Sequence, residues 1–453
     1  MCRRLFLTLF LLVFSTVEGR ADGWKAGTGR EPITPTTPLW MAGYGARNKP
    51  SEGEIHPLWA KALVLEDPAG QKSLIVTLDV CGVDGALSRR IRDKIHRIHG
   101  LGDDRIVLAC SHTHSGPVVG ENLITMYGVN NGEKAKIDAY TTEFESKIAR
   151  AVASAFERIE PCSLSWETGT ADFAVNRRNN KEPDVPALRG RNALEGPVDH
   201  DVPVLQVRGN SEKKLKAVVF GYACHCTVLS FYKFCGDYAG FASNDLEEQY
   251  PGSQAMFVAG CGADQNPLPR GTIELARKYG KELAGAVAHV VDSPAMPIEG
   301  KSSCAYKLVN LRFGTLPTRE QIEADAKSSI LAVANRAKKL LRSLDSEGKL
   351  ANSYPYPVQV WKLGDLTWIF LGGEVVVDYS LRLKRNLGSS KTWVSGYCND
   401  VMAYIPSLRV LKEGGYEGAS AMIYYGLPTS WSEDVEARII EAIGPLVEAT
   451  KPR

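Results

Sequence analysis

Along its whole length the chain alternates apolar runs of strand length with segments of helical spacing, and this alternation restricts the fold more than any other feature. Residues 73–79, 105–110, 216–222, 255–259 and 366–371 read as strands. Residues 86–99, 141–159, 273–291 and 318–344 carry helical spacing, and a further helix is predicted from about Glu374. Strands and helices mixed in this way predict an α/β domain, a layered mixed β-sheet with flanking helices. With 44% hydrophobic and 23% charged residues, the chain has ordinary globular composition, which excludes disorder or a fibrous repeat.

What the strands run into is more informative. Four of them, and a further run at 393–395, break at a small residue and continue into polar groups. They lead into His112 and His114, His225, Asp264 and Asn266, Glu374, and, after Trp393-Val394-Ser395, into Asn399 and Asp400. In α/β sheets the ends of buried strands meet at one edge, where ligands bind, so the five together predict an active site at the strand ends. Each break alone is equally an ordinary turn, because Gly, Asn and Asp favour turns. His112 and His114 are spaced i, i+2, which places both on one face if the strand continues through them. That suits one ring as a metal ligand and the other as a proton-transfer group, or both as ligands. His225 and Glu374 add nitrogen and oxygen donors, and two His with one carboxylate is a common catalytic zinc set. Taken singly, His225 also reads as a hydrogen-bonded core histidine, and Glu374 as a carboxylate drawn to a helix N-terminus.

Residues 1–21 predict a secretory signal peptide. Arg3 and Arg4 precede an apolar run from Leu5 to Val17, and Gly19-Arg20-Ala21 offers a small-x-small cleavage site. The run is shorter than the roughly 20 residues that span a bilayer, so a secreted or periplasmic protein is expected. Beyond Cys2, nine cysteines are spread without a CxxC pair and read mostly as packing residues, with room for one or two disulfides. Lys and Arg number 54 against 52 Asp and Glu; this near balance excludes nucleic acid as the main partner. Neither a P-loop nor a dinucleotide fingerprint follows a suitable strand, so no organic cofactor is expected.

Other residues carry a family resemblance. Gly29-Arg30-Glu31-Pro32-Ile33-Thr34-Pro35, Met41-Ala42-Gly43-Tyr44-Gly45 and Ala60-Lys61-Ala62-Leu63 come first. Asp79, Ser111-His112-Thr113-His114-Ser115-Gly116-Pro117, Asn176-Arg177-Arg178, and His225 followed by Gly236-Asp237-Tyr238-Ala239-Gly240-Phe241-Ala242 come next. Gly372-Gly373-Glu374, Cys398-Asn399-Asp400 with Tyr404, and Tyr416-Glu417-Gly418-Ala419-Ser420 complete the series. In this order they resemble the N-terminal catalytic domain of the neutral (non-lysosomal) ceramidases.

The resemblance implies a single Zn²⁺ held by His112, His225, Glu374 and Tyr404, with His114, Arg177 and Tyr416 facing the scissile amide. It implies a hydrolase domain over residues 22–453 that cleaves an N-acyl amide, ceramide or a related lipid, by attack of zinc-bound hydroxide. His114 would move protons, and Arg177, Tyr416 and Asn266 would stabilise the oxyanion. A small-molecule or lipid amide is then the expected partner, transient contact with a membrane surface is allowed, and nothing points to a protein partner. Two departures stand out. Asn266 occupies the position of a Ser in the family's Gly-Asp-Val-Ser-Pro loop, and Asn cannot act as a serine nucleophile. The family's C-terminal immunoglobulin-like domain has no counterpart in residues 22–453. Both leave open a zinc hydrolase of a non-lipid amide or ester, or a non-catalytic ligand-binding member of the family.

Overall fold

The computed structural model describes residues 23–210 and 213–451. The predicted signal peptide therefore lies outside the described residues. The first part of the chain supplies β1 (Lys25–Pro32), β2 (Trp59–Glu66), β3 (Lys72–Leu78), β4 (Ile106–Cys110) and β5 (Glu160–Thr170). Then come β6 (Ala174–Asn176), β7 (Asp201–Gly209), β8 (Leu215–Tyr222), β9 (Gln254–Ala259) and β10 (Gln265–Pro267). The main sheet has the order β4-β3-β2-β1-β5-β7-β8-β9. Its two ends, β3/β4 and β8/β9, are parallel pairs, and its middle is antiparallel. The sheet curls until its edge strands β4 and β9 touch. β11 (Met296–Ile298) extends it at β5, and β6 pairs with β10 apart from it.

A second sheet follows. β12 (Ser302–Arg312), β13 (Ser353–Leu363) and β14 (Leu366–Leu371) run antiparallel. After the short β15 (Glu374–Val375), β16 (Thr392–Ser395) returns parallel to β14, and β15 pairs in parallel with β17 (Tyr404–Ile405). β2, β3, β4, β8, β9, β14 and β16 are buried on both faces, as their nearly unbroken apolar sequence requires, whereas β1, β5 and β12 keep exposed positions. Leu63, Leu65, Ile75, Val107 and Val219 of the main sheet pack against Trp361, Trp368, Phe370 and Trp393 of the second. The alternate residues, Val64, Leu74 and Val76 in one sheet and Val358, Val360 and Ile369 in the other, face helices.

Helix Asn131–Glu157 covers β1 and β2, and Ile273–Val291 covers β5 and β7. Val435–Ala449 lies on β12 and β13. The layers are thus helix, sheet, sheet, helix. Gly27 and Gly29 let β1 approach its helix, because a Cβ there would lie 2.0 and 2.1 Å from the carbonyls of Ala155 and Ala151.

Several expectations shift. The helix expected over 141–159 starts ten residues earlier, at Asn131, where the Asn130 side chain accepts the Glu133 amide. The helical pattern over 318–344 is two helices, Arg319–Asp325 and Leu331–Glu347. Past Asp325 the amides of Lys327 and Ser328 turn to the carbonyls of Ala324 and Asp325, and the Ser328 hydroxyl then takes the Ile330 amide at 3.1 Å in place of a helical bond between the two. No helix starts at Glu374; it begins at Val377, and Glu374 is in a strand. All nine described cysteines are free and eight of them are buried, as packing residues are, and none of the one or two disulfides the sequence allowed is present among the described residues. No helix of the described residues is long and apolar enough to cross a membrane.

Candidate metal centre

The segment 395–399 joins the two sheets at one end. Gly396 donates to the Ala259 carbonyl at 3.0 Å, Tyr397 to Gly373 at 3.0 Å, and Asn399 to Leu108 at 2.7 Å. These bonds bring β4 and the exit of β9 in the main sheet against the exit of β14 in the second, and Gly260 donates to the Tyr222 carbonyl at 2.9 Å to tie in the exit of β8. His112, two residues past β4, is not in a strand but adopts φ 58 in the left-handed region. A non-glycine residue holds that conformation only when its surroundings enforce it. Here its amide donates to Val80 at 3.1 Å, and the amides of Ser111 and His114 are tied to Leu78 and Cys226. The i, i+2 histidines therefore meet through a turn, not by strand alternation: the Nε2 atoms of His112 and His114 are 3.0 Å apart.

His112 Nδ1 faces the Cys81 carbonyl at 2.6 Å, and His225 Nδ1 faces the Gly262 carbonyl at 2.8 Å. A carbonyl accepts only a proton, so both rings carry N–H at Nδ1 and turn an Nε2 lone pair toward a common point. Glu374 Oε2 is 3.1 Å from one Nε2 and 3.0 Å from the other. Its second oxygen accepts the Tyr425 hydroxyl. The parallel register of β15 with β17 sets Tyr404 beside Glu374, and its hydroxyl is 3.3 Å from His225 Nε2.

All four groups are buried. Burial pushes the Glu374 carboxyl up, but His112 and His225 outweigh it and hold the group well below the usual carboxylate range. Burial, with Arg177 adding to it, pulls His225 down to about 4. His112 is also pulled down by burial, but Cys81 and Glu374 leave it well above the usual imidazole value. His114 is drawn well below, by burial and then by His112 and His225. Burial, and then Glu374, pushes the Tyr404 phenol well up against Arg177.

One ionised carboxylate thus needs one positive charge, met by a proton on His112 or by a cation at the common focus. The donor set fits a cation. His112, His225 and Glu374 form a group able to hold a metal ion. A tetrahedral site with metal–nitrogen bonds of about 2.0 Å has edges of about 3.3 Å. The separations of 3.0, 3.1 and 3.3 Å match that scale. Cys81 forms a rival group with His112 and His114, but its sulfur lies on the Nδ1 side of His112, 3.6 Å away.

Over this focus opens a cleft of about 610 Å³. Arg177 follows β6, and the pairing of β6 with β10 brings it to Asn266. Its guanidinium donates to Glu417 at 2.8 Å, to Asn266 Oδ1 at 3.2 Å and to the Tyr404 hydroxyl at 3.1 Å. His114 and Tyr416 line the same cleft, and Tyr416 is 38% exposed at its mouth. Gly43 (φ +102) passes so close that a Cβ would lie 2.4 Å from the His114 ring.

The structure therefore brings His112, His225, Glu374 and Tyr404 together and sets His114, Arg177, Asn266 and Tyr416 around them. It does not bring in Asn399, whose side chain bonds Arg92 and Gln359, or Asp400, which bonds Tyr354. Asp264 is buried beneath the cleft as a pin, accepting from the Val377 amide and from Asn176. Sequence reasoning misses Tyr425 on Glu374, Tyr397 against the His112 ring at 4.4 Å, and Tyr44 against His114 at 4.9 Å. Nothing local marks Tyr425 or Tyr397 among 17 tyrosines, whereas Tyr44 lies in the 41–45 motif noted above without an assigned role. Glu417, the partner of Arg177 and Arg178, sits in a noted motif but had no assigned role.

Residues 24–266 match the family model for the neutral/alkaline non-lysosomal ceramidase N-terminal domain. Neutral ceramidase A of Dictyostelium discoideum is 24% identical over 273 residues, covering 55% of this chain and 37% of that protein. The neutral ceramidase of Pseudomonas aeruginosa is 22% identical over 513 residues, covering 92% of this chain and 72% of the relative. The solved structure of neutral ceramidase from P. aeruginosa superposes with a TM-score of 0.72 at 18% identity, over 94% of this chain and 74% of that one. A ceramidase complexed with C2 gives a TM-score of 0.73 at 17% identity, over 94% and 75% of the two chains.

Proposed function

The chain belongs to the neutral/alkaline non-lysosomal ceramidase family, and from that premise we propose that it is a zinc-dependent amidohydrolase releasing a fatty acid and an amine from an N-acyl amide. The convergence of His112 Nε2, His225 Nε2 and Glu374 Oε2 beneath an open cleft carries the reading. His112, His225, Glu374 and Tyr404 hold the zinc. Zinc bound there supplies Lewis acidity toward water and an amide carbonyl.

Arg177 spends one bond each from Nη1 and Nη2 on Asn266 and Tyr404, and its remaining N–H groups are available to the substrate carbonyl oxygen. Because Asn266 Oδ1 accepts from Arg177, its amide nitrogen is left to donate to the same oxygen. Tyr416 closes the mouth beside them. His114 moves a proton from the attacking water to the departing amine. With Asn at position 266, no hydroxyl nucleophile stands there and no acyl-enzyme forms on that side chain. Residues 22–453 act as one hydrolase domain, exported behind a leader at residues 1–21.

The test is hydrolysis of a panel of N-acyl amides, esters and peptides by the zinc-loaded protein. Amides are turned over, a chelator abolishes turnover and added zinc restores it. Turnover of esters alone, or turnover indifferent to chelation, overturns the reading.

A further inference from the structure

The cleft above the metal focus is walled mainly by polar and cationic groups. Leu268 is its one aliphatic side chain of any length, and the other apolar surface comes from tyrosine rings. Four cations, Arg177, Arg178, Lys181 and Arg270, face two carboxylates, Glu182 and Glu417. Three of the cations are already committed. Arg177 and Arg178 share Glu417, Arg178 also bonds Glu413, and Arg270 holds Glu182 through Nε and Nη2.

Lys181 is different. It is exposed on the cleft wall, and among the described residues its ammonium has no hydrogen bond or ion pair. Its backbone is nonetheless fixed. The neighbouring Asn180 is buried and donates to Asn176 at 2.8 Å and to Glu195 at 2.7 Å, while accepting the Glu195 amide at 3.0 Å. Lys181 is thus an uncommitted cation on a rigid base, four residues from Arg177.

An alkyl chain laid in this cleft would strip water from guanidinium groups without replacing their hydrogen bonds, which is unfavourable. A compact anion would gain a charge-assisted bond from Lys181 within a positive field. We infer that the preferred substrate is an N-acyl amide bearing a compact anion, a carboxylate or sulfonate, within a few bonds of the scissile bond, and that Lys181 selects it. N-acyl amino acids have this chemistry. The inference rests on the amidase reading above and narrows its substrate class.

The experiment compares, with zinc-loaded full-length protein at low ionic strength, amides that share one acyl chain. The amine is ethanolamine, glycine or taurine, with a long-chain ceramide alongside. The glycine or taurine amide is expected to show at least about tenfold higher kcat/KM than the ethanolamide. The preference shrinks as salt rises. The glycine and taurine arms separate carboxylate from sulfonate recognition. Lys181→Glu reverses the preference through KM, and Lys181→Arg restores it; because Lys181 is exposed, neither change threatens the fold. If the ethanolamide or ceramide is cleaved as well as the anionic amides, the inference is overturned while the amidase reading stands. If no amide is cleaved, the amidase reading itself fails.

Discussion

At the scale of single residues, the candidate site is a set of lone pairs aimed at one point, and each donor has a separable consequence. His225→Ala removes an Nε2 lone pair from the focus, so elemental analysis should find far less than the one equivalent of zinc expected for the unaltered chain. His114→Ala should keep its zinc and lose most of its turnover; loss of zinc in that variant would make His114 a ligand and displace Tyr404 from the set. Asn266→Ala leaves Arg177 without one acceptor and the substrate oxygen without one donor, for an expected loss of about 10²–10³-fold in kcat if it acts as an oxyanion donor. Trapping an acyl group on any side chain of the protein would contradict the scheme.

Asp400 supplies a prediction away from the site. Burial pushes its carboxyl up to about 8, with Asp84 adding to the shift and the Tyr354 hydrogen bond opposing it. Unfolded, the group titrates near 4, so between about pH 4 and pH 8 the folded chain holds a proton that the unfolded chain has released. Stability therefore falls as pH rises through that window. Asp400→Asn keeps an acceptor for Tyr354 but cannot ionise. Its Tm should decline less between pH 5 and pH 8 than that of the unaltered protein, and parallel Tm curves would refute the assignment. Among the site residues, His112, His114, His225 and Glu374 were legible because each follows a strand and a small-residue break. Tyr425 was not, because only packing carries it to Glu374.

At the scale of elements, apolar runs predicted the strands well because a strand buried on both faces has little freedom in composition. Residues 273–291 fold as the helix their spacing predicts. The pattern over 318–344 failed where a serine hydroxyl took a backbone amide, and Glu374 was drawn into a strand by a pairing with β17 that no local pattern encodes. The inner faces of the sheets are held by tryptophans. Trp368 and Trp393 stack with centroids 3.9 Å apart, and Trp368 donates to Ser395 at 2.9 Å, at the start of the segment that joins the sheets. Trp393→Ala should cost about 3–5 kcal/mol of stability by leaving a cavity, read as a lower denaturation midpoint. A loss under about 1 kcal/mol would mean the inter-sheet layer does not depend on this pair.

At the scale of the whole molecule, the candidate centre clamps two regions, with His112 and His225 from the exits of the main sheet and Glu374 and Tyr404 from the β15–β17 pair that follows the second. A cation bound there stabilises the folded chain by mass action, about 2.7 kcal/mol at a free concentration of 100 times Kd. Chelation should therefore lower Tm, and added zinc should restore it; a Tm indifferent to both would exclude a folded-state metal site. By itself the sequence determined the α/β class, most element positions and the polar residues at the strand ends, because periodicity and turn chemistry are local properties of a chain. Only the tertiary structure decided which ends meet. The curl that brings β4 to β9, the left-handed turn at His112 and the 395–399 segment tying both sheets are long-range arrangements. Hydrogen bonds between residues from a few tens to nearly three hundred positions apart fix them, and these leave no periodicity in the sequence that closes them.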